Sequence, residues 1–330
     1  MRKMFCKKRL ASRWVAYSWL VALAAIAAAL VCLSCQAQRV AEQTPTAAAP
    51  APSPAHAVSP TPAAEPARDP EPAPPEREAD FRFVVYGDSR SGHEVHERLI
   101  KLILRAEPEL VLHTGDLVRD ASEALEWRTE QILLGPLLAQ CDFFPALGNH
   151  DLDDHKVPRA FVQLFAIPTR NGEPARFYSF DRGGLHFVAL DTNIDVGPNS
   201  PQGRWLRRDL EETALPTIVY GHHPAYSPGP HGGDDDVREG LWPVLAAAHV
   251  VAYFCGHDHL YYRTMRDGVW EIVTAGGGAP LYDPRHKEVM LPGDVARKCY
   301  HFCLLERFGR EIWLRAVGLD GKPFDAKRLR

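Results

Sequence analysis

The sequence predicts an α/β domain beginning at residue 80, on three observations. Short apolar runs alternate with stretches whose apolar residues recur at helical spacing. The first three runs each lead into a glycine followed by a carboxylate or an amide, at the strand end where open α/β sheets bind ligands. Before residue 80 neither pattern is present.

The elements follow in order. Residues 81–86 read as a strand running into Gly87-Asp88, and 93–105 as a helix with Val95, Leu99, Leu102 and Ile103 on one face. A second strand over 109–113 leads to Gly115-Asp116, an amphipathic stretch covers 121–140, and a third strand over 143–147 leads to Gly148-Asn149-His150-Asp151. Strand, helix, strand, helix, strand is the order of a parallel sheet. Residues 176–180 and 185–190, joined by Asp181-Arg182-Gly183-Gly184, read as a hairpin. A helix over 202–213 precedes a strand over 217–220 that enters Gly221-His222-His223-Pro224. A helix over 237–248 precedes a strand over 250–254 that enters Gly256-His257-Asp258-His259. Segments 261–266, 269–275, 300–307 and 311–317 read as antiparallel strands, and no repeat or second boundary divides 80–330.

Composition narrows the function classes. The chain has 330 residues, 45% hydrophobic and 24% charged, enough for one large domain. A net charge of -4, with no basic face outside the N-terminus, excludes a nucleic-acid-binding patch working by bulk electrostatics. Residues 1–35 join a basic head (Arg2, Lys3, Lys7, Lys8, Arg9, Arg13) to an uncharged run over 14–33. That pattern is expected of a signal peptide, a lipoprotein signal ending at Cys35 or a retained membrane anchor. Each places the rest of the chain outside the cytoplasm, with membrane contact through this segment only. Residues 36–79, rich in Ala and Pro and poor in large apolar side chains, are expected to be a disordered linker. Of seven cysteines, Cys141, Cys255, Cys299 and Cys303 follow the leader. Were Cys299 and Cys303 on one strand, roughly 13 Å would separate them, too far to pair.

The strand ends gather Asp88, Asp116, Asn149, His222, His257 and His259. Two metal ions about 3.5 to 4 Å apart need a bridging carboxylate and further oxygen or nitrogen ligands. Asp and Asn oxygens with His nitrogens, and no thiolate, favour Fe, Mn or Zn over Cu(I) or an iron–sulfur cluster.

Gly87-Asp88-Ser89-Arg90, Gly115-Asp116, Gly148-Asn149-His150-Asp151, Gly221-His222-His223-Pro224 and Gly256-His257-Asp258-His259 resemble the ordered blocks of the calcineurin-like metallophosphoesterases. Within that family the chain is most similar to the purple acid phosphatase-like branch, over residues 80–320. The resemblance implies a four-layer αββα sandwich of two mixed β-sheets flanked by helices, and metal-dependent hydrolysis of a phosphorylated small-molecule or macromolecular substrate, monoester or diester. It implies two divalent or trivalent metal ions: Asp88 and His259 hold the first, Asn149, His222 and His257 the second, and Asp116 bridges them. His150, oriented by Asp151, would face the phosphate and protonate the leaving oxygen. His231, nine residues after His222, occupies the place of a substrate-contacting histidine, with a solvated surface residue as the alternative.

Two positions depart from the pattern. Arg90 stands where the broad family carries a His ligand, and Arg119 where the purple enzymes carry a Tyr ligand. A guanidinium offers only donors and cannot ligate. Arg90 therefore either grips the substrate phosphate or partners Asp88 beside an incomplete first site. The second option leads to the alternative function, a non-catalytic phospholigand-binding or cell-envelope interaction protein. His113 is expected either to orient a ligand or to be a core histidine, and His223 to pack beside Pro224.

Overall fold

The computed structural model describes residues 74–330 except 166, 168, 171–172 and 175. The leader and residues 36–73 of the expected linker lie outside the described residues. Among the described residues no helix is long and apolar enough to cross a membrane.

The chain runs β1 (Phe81–Tyr86), α1 (His93–Arg105), β2 (Leu110–His113), α2 (Ala124–Leu138), β3 (Asp142–Pro145), a 3-10 turn (Asn149–Asp151) and α3 (Arg159–Leu164). The two-residue β4 (Thr169–Arg170) and β5 (Glu173–Pro174) follow, then β6 (Tyr178–Arg182), β7 (Leu185–Ala189), α4 (Pro201–Glu212) and β8 (Thr217–Tyr220). A π turn (Asp236–Leu241) leads into α5 (Trp242–Ala247) and β9 (Ala252–Cys255). The chain closes with β10 (Tyr261–Arg266), β11 (Val269–Thr274), β12 (Val295–Arg297), β13 (His301–Phe308), β14 (Glu311–Gly318) and β15 (Pro323–Arg328).

Two mixed sheets result. The first has the order β15-β14-β13-β1-β2-β3 and the second β12-β10-β11-β9-β8-β7-β6. β1, β2 and β3 are parallel, as are β7, β8, β9 and β11, so the ligand-bearing loops after them leave in one direction within each sheet. Period-two alternation builds the layers. Ile218 and Tyr220 of β8, and Ala252 and Phe254 of β9, join the core shared with β1 and β2, whereas Val219, Tyr253 and Cys255 point the other way, into the core containing Leu206 of α4 and Leu245 of α5. Between the sheets the Phe83 ring meets Phe187 edge-on at 5.2 Å. The α/β class and the four-layer αββα arrangement are as expected.

Several details differ from the sequence expectations. The hairpin pairs Tyr178–Arg182 with Leu185–Ala189, and its turn is Gly183-Gly184, both at positive φ (57° and 72°), a primed turn that matches strand twist. The four segments read as antiparallel strands divide between the sheets: β10 and β11 join the second, where β12 lies outside β10 at the edge and β11 also pairs parallel with β9, while β13 and β14 continue the first. Cys299 precedes β13, and the four described cysteines are free thiols.

Candidate metal centre

Each ligand loop is pressed against another by a glycine. A Cβ on Gly256 would lie 2.2 Å from Asp88 Oδ2, and one on Gly148 2.2 Å from Asp116 Oδ1, so only glycine lets these backbones come so close. Asp88, Asp116 and His257 themselves adopt φ of 58°, 58° and 68°, the left-handed region that L-residues with a Cβ adopt at a cost. Surrounding bonds hold these turns. Asp88 Oδ1 and Oδ2 accept the His257 N–H at 3.1 and 3.2 Å, and Asp116 Oδ1 accepts that of His150 at 3.0 Å.

The predicted ligands come together in two adjoining groups. In Asp88, Asp116 and His259, one ligand atom per residue lies within 4.8 Å of the others, and all three residues are buried. His222 and His257 form the second group with His223. His222 Nε2 lies 3.1 Å from Asn149 Oδ1, 3.3 Å from His257 Nδ1 and 3.5 Å from Asp116 Oδ1, so Asp116 touches both groups.

Proton placement shows what this crowd lacks. His222 Nδ1 donates to the Thr114 carbonyl at 2.9 Å, which leaves Nε2 a bare lone pair. Burial holds His222 well below the usual histidine range, and burial with the neighbours His222, His223 and His231 brings His257 down to about 2. The His222 Nε2 lone pair thus faces Asn149 Oδ1 and Asp116 Oδ1, two further acceptors, with His257 Nδ1 beside it. A cation satisfies that arrangement, and the residues fit a metal ion. On the other side, His259 Nδ1 donates to the Pro280 carbonyl at 2.8 Å and turns Nε2 toward Asp88 Oδ1 at 3.4 Å. Burial opposes a proton on His259, but Asp88 outweighs it and raises its pKa. Burial lifts Asp88 itself to about 6, against the pull of His259. A metal ion in place of the shared proton leaves both in their ligating forms.

The departures are now placed. Arg90 Nε donates to Asp116 Oδ2 at 3.0 Å, so its partner is Asp116 and not Asp88, and its Nη1 and Nη2 bond no described residue. The oxygen it takes is not the one facing His222. The Arg119 side chain turns away onto Glu126 at 3.3 Å.

Asp151 does not orient His150. Its carboxylate accepts the N–H groups of Asp116, Leu117, Val118 and Gly148 at 2.7, 2.8, 3.2 and 3.0 Å, which stitches the Asp116 loop to the Asn149 loop. His150 Nδ1 instead donates to the Arg119 carbonyl at 2.6 Å, leaving Nε2 free. In the 3-10 turn Asn149–Asp151 consecutive side chains leave about 120° apart, so neighbours in sequence face different partners.

Thr192 and Tyr282 escaped the sequence reading, and His113 and His223 find their partners in the structure. Thr192 Oγ1 accepts the N–H groups of His222 and His223, which directs its own proton to His223 Nδ1 at 2.8 Å. Neutral His223 then carries its proton on Nε2, a donor suited to a substrate oxygen. Tyr282 stacks on His259 with ring centroids 4.3 Å apart. His113 Nδ1 accepts the Gly115 N–H and its Nε2 donates to Ser89 Oγ, so it supports both flanking ligand loops from the core.

Residues 81–261, more than half of the chain, match the model of the calcineurin-like phosphoesterase family. The chain belongs to that family. It is 28% identical over 171 residues to purple acid phosphatase 22 of Arabidopsis thaliana, covering 48% of this chain and 39% of that protein. With tartrate-resistant acid phosphatase type 5 of Homo sapiens it shares 26% identity over 303 residues, 76% of this chain and 90% of the human protein. Among solved structures, purple acid phosphatase PPD1 from yellow lupin (Lupinus luteus) superposes with a TM-score of 0.67 at 18% identity, over 75% of this chain and 53% of that one, a likeness of fold. The chain thus spans less than half of the Arabidopsis relative and about half of the lupin protein.

Proposed function

We propose that this chain is an exported, metal-dependent phosphoesterase that hydrolyses phosphate monoesters or diesters at a dinuclear centre. The observation that carries the proposal is the convergence of His222 Nε2, His257 Nδ1, Asn149 Oδ1 and Asp116 Oδ1 at one point, with Asp116 shared with Asp88 and His259. Asp88, Asp116 and His259 would hold the first ion and Asn149, His222, His257 and Asp116 the second, with Fe, Mn or Zn matching these donors. When bound, the two ions supply charge that neutralises phosphate oxygens and lowers the pKa of a water nucleophile.

The chain's own residues do the rest. Arg90 is fixed by its Nε on Asp116, which presents Nη1 and Nη2 for paired hydrogen bonds to the phosphate. His150, anchored through Nδ1 on Arg119, leaves Nε2 free for the substrate, and a proton carried there would pass to the departing alkoxide. His223 Nε2 and His231 line the cleft beyond the second site and would contact the substrate. The Arg90–Asp116 pair also supports a second reading, a non-catalytic phospholigand-binding protein in which the guanidinium takes the place of the first ion. Hydrolysis of an aryl phosphate monoester and diester by the full chain, run with metal analysis, separates the two. Two metal ions per chain with turnover support the enzyme, and one or none without turnover supports the binder. His150→Ala is expected to lower kcat by about 10²- to 10⁴-fold with metal content unchanged. Undiminished turnover of a poor leaving group would refute that role.

A further inference from the structure

Asp258 lies between the ligands His257 and His259, fully buried, yet every hydrogen bond its carboxylate makes to a described residue goes to a different loop. Oδ2 accepts the Ser227 hydroxyl at 2.5 Å. Oδ1 accepts both the backbone N–H of His231 at 3.1 Å and its ring Nδ1–H at 2.9 Å. Ser227 Oγ in turn accepts the Gly229 N–H at 3.0 Å. The loop can lie this close only because residue 229 is glycine, since a Cβ there would sit 2.2 Å from Asp258 Cγ. Residues 227–231 are thus wound around one carboxylate.

We propose that Asp258 is the positioning residue that sets His231 beside the metal centre with Nε2 turned to the substrate. The inference rests on the phosphoesterase reading above. A carboxylate oxygen only accepts, so Nδ1 must carry the proton and Nε2 is the atom left for other partners. The His231 ring lies 4.5 Å from that of His257, a ligand of the second ion, and 5.4 Å from Tyr282, which stacks on His259 of the first. Its imidazole is nearly half exposed, on a polar cavity of about 360 Å³ that His223 and His257 also line. The bonds to Ser227 and to the His231 backbone hold the loop to the carboxylate. The bond to the ring adds orientation, which matters only for what Nε2 does.

The test is a mutant cycle on the metal-loaded full chain, with kcat and KM for an aryl phosphate and metal content as readouts. His231→Ala and Asp258→Ala are each expected to lower kcat/KM about 10- to 100-fold with metal content unchanged, and the double variant to be no worse than the worse single one. Asp258→Asn keeps an acceptor for Nδ1–H and is expected to recover most of the loss. Gly229→Ala pushes the loop off the carboxylate while leaving both side chains in place, so it is expected to reproduce the His231→Ala loss and to add nothing in that background. It serves as the decisive variant if Asp258→Ala fails to fold. Additive losses, an inert His231→Ala, or metal lost on Asp258→Asn overturns the role of Asp258. Absence of metal-dependent turnover in the wild type overturns the phosphoesterase reading itself, and the proposal with it.

Discussion

Arg90 holds the position at which this site differs most from the family pattern. On the proposed reading, its Nε bond to Asp116 Oδ2 leaves the first site with Asp88, Asp116 and His259 as protein ligands, and a guanidinium stands where the family pattern has an imidazole. Arg90→His restores an imidazole there, and metal titration of the variant is expected to show tighter binding at the first site, by about tenfold or more. Unchanged or weaker binding would mean that the loop does not aim residue 90 at the ion. That these residues gather at one place was legible in the sequence, because metal chemistry admits few residue types and glycines mark the turns that carry them. The partnership of Asp151 with His150 that the resemblance implies is not found, because in the 3-10 turn the two side chains face different partners. Thr192 and Tyr282 left no signal, since a threonine or a tyrosine gains its role only from the tertiary approach of His223 or His259.

The hairpin β6–β7 is tied to α4 by a titratable clasp. His186 Nδ1 faces Asp181 Oδ1 at 2.6 Å and Nε2 faces Asp209 Oδ2 at 2.9 Å, joining the β6 strand, the β7 strand and the helix. Burial opposes a charge on His186, but Asp209 and Asp181 together outweigh it and raise its pKa above 6.5. The stabilisation is therefore complete below the unfolded value of about 6.5 and is lost as pH rises through the higher folded value. Urea midpoints of wild type and His186→Gln are expected to converge as pH rises above about 6.5, and a pH-independent gap would remove the clasp from the account. Long apolar strands and the helices over 93–105 and 202–213 were readable, whereas the helix expected over 237–248 is a π turn followed by the short α5. β15 was not, because Pro-Phe-Asp-Ala-Lys-Arg lacks an apolar alternation, and its place comes from Asp325, which accepts Tyr261 and Arg263 of the opposite sheet at 2.6 Å.

Across the molecule, two sheets close on an aromatic layer and send their ligand loops to a common edge. Phe81, Phe83, Phe180 and Phe187 stack or meet edge-on between the sheets, at centroid distances of 5.2 to 6.4 Å. Phe83→Ala is expected to cost about 3–5 kcal/mol, read from chemical denaturation; a loss under about 1 kcal/mol would place the weight of the fold elsewhere. Asp116, in the loop after β2 of the first sheet, meets His222 after β8 of the second, so metal ions held there would clamp the sheets together. The measurement that bears most directly on the dinuclear reading is a stepwise titration of the metal-free full chain with Mn or Zn, following turnover of an aryl phosphate. Turnover is expected to be absent without metal and to rise to a plateau at two ions per chain. Turnover that persists under chelation, or two ions bound with no turnover on any phosphoester, would contradict it.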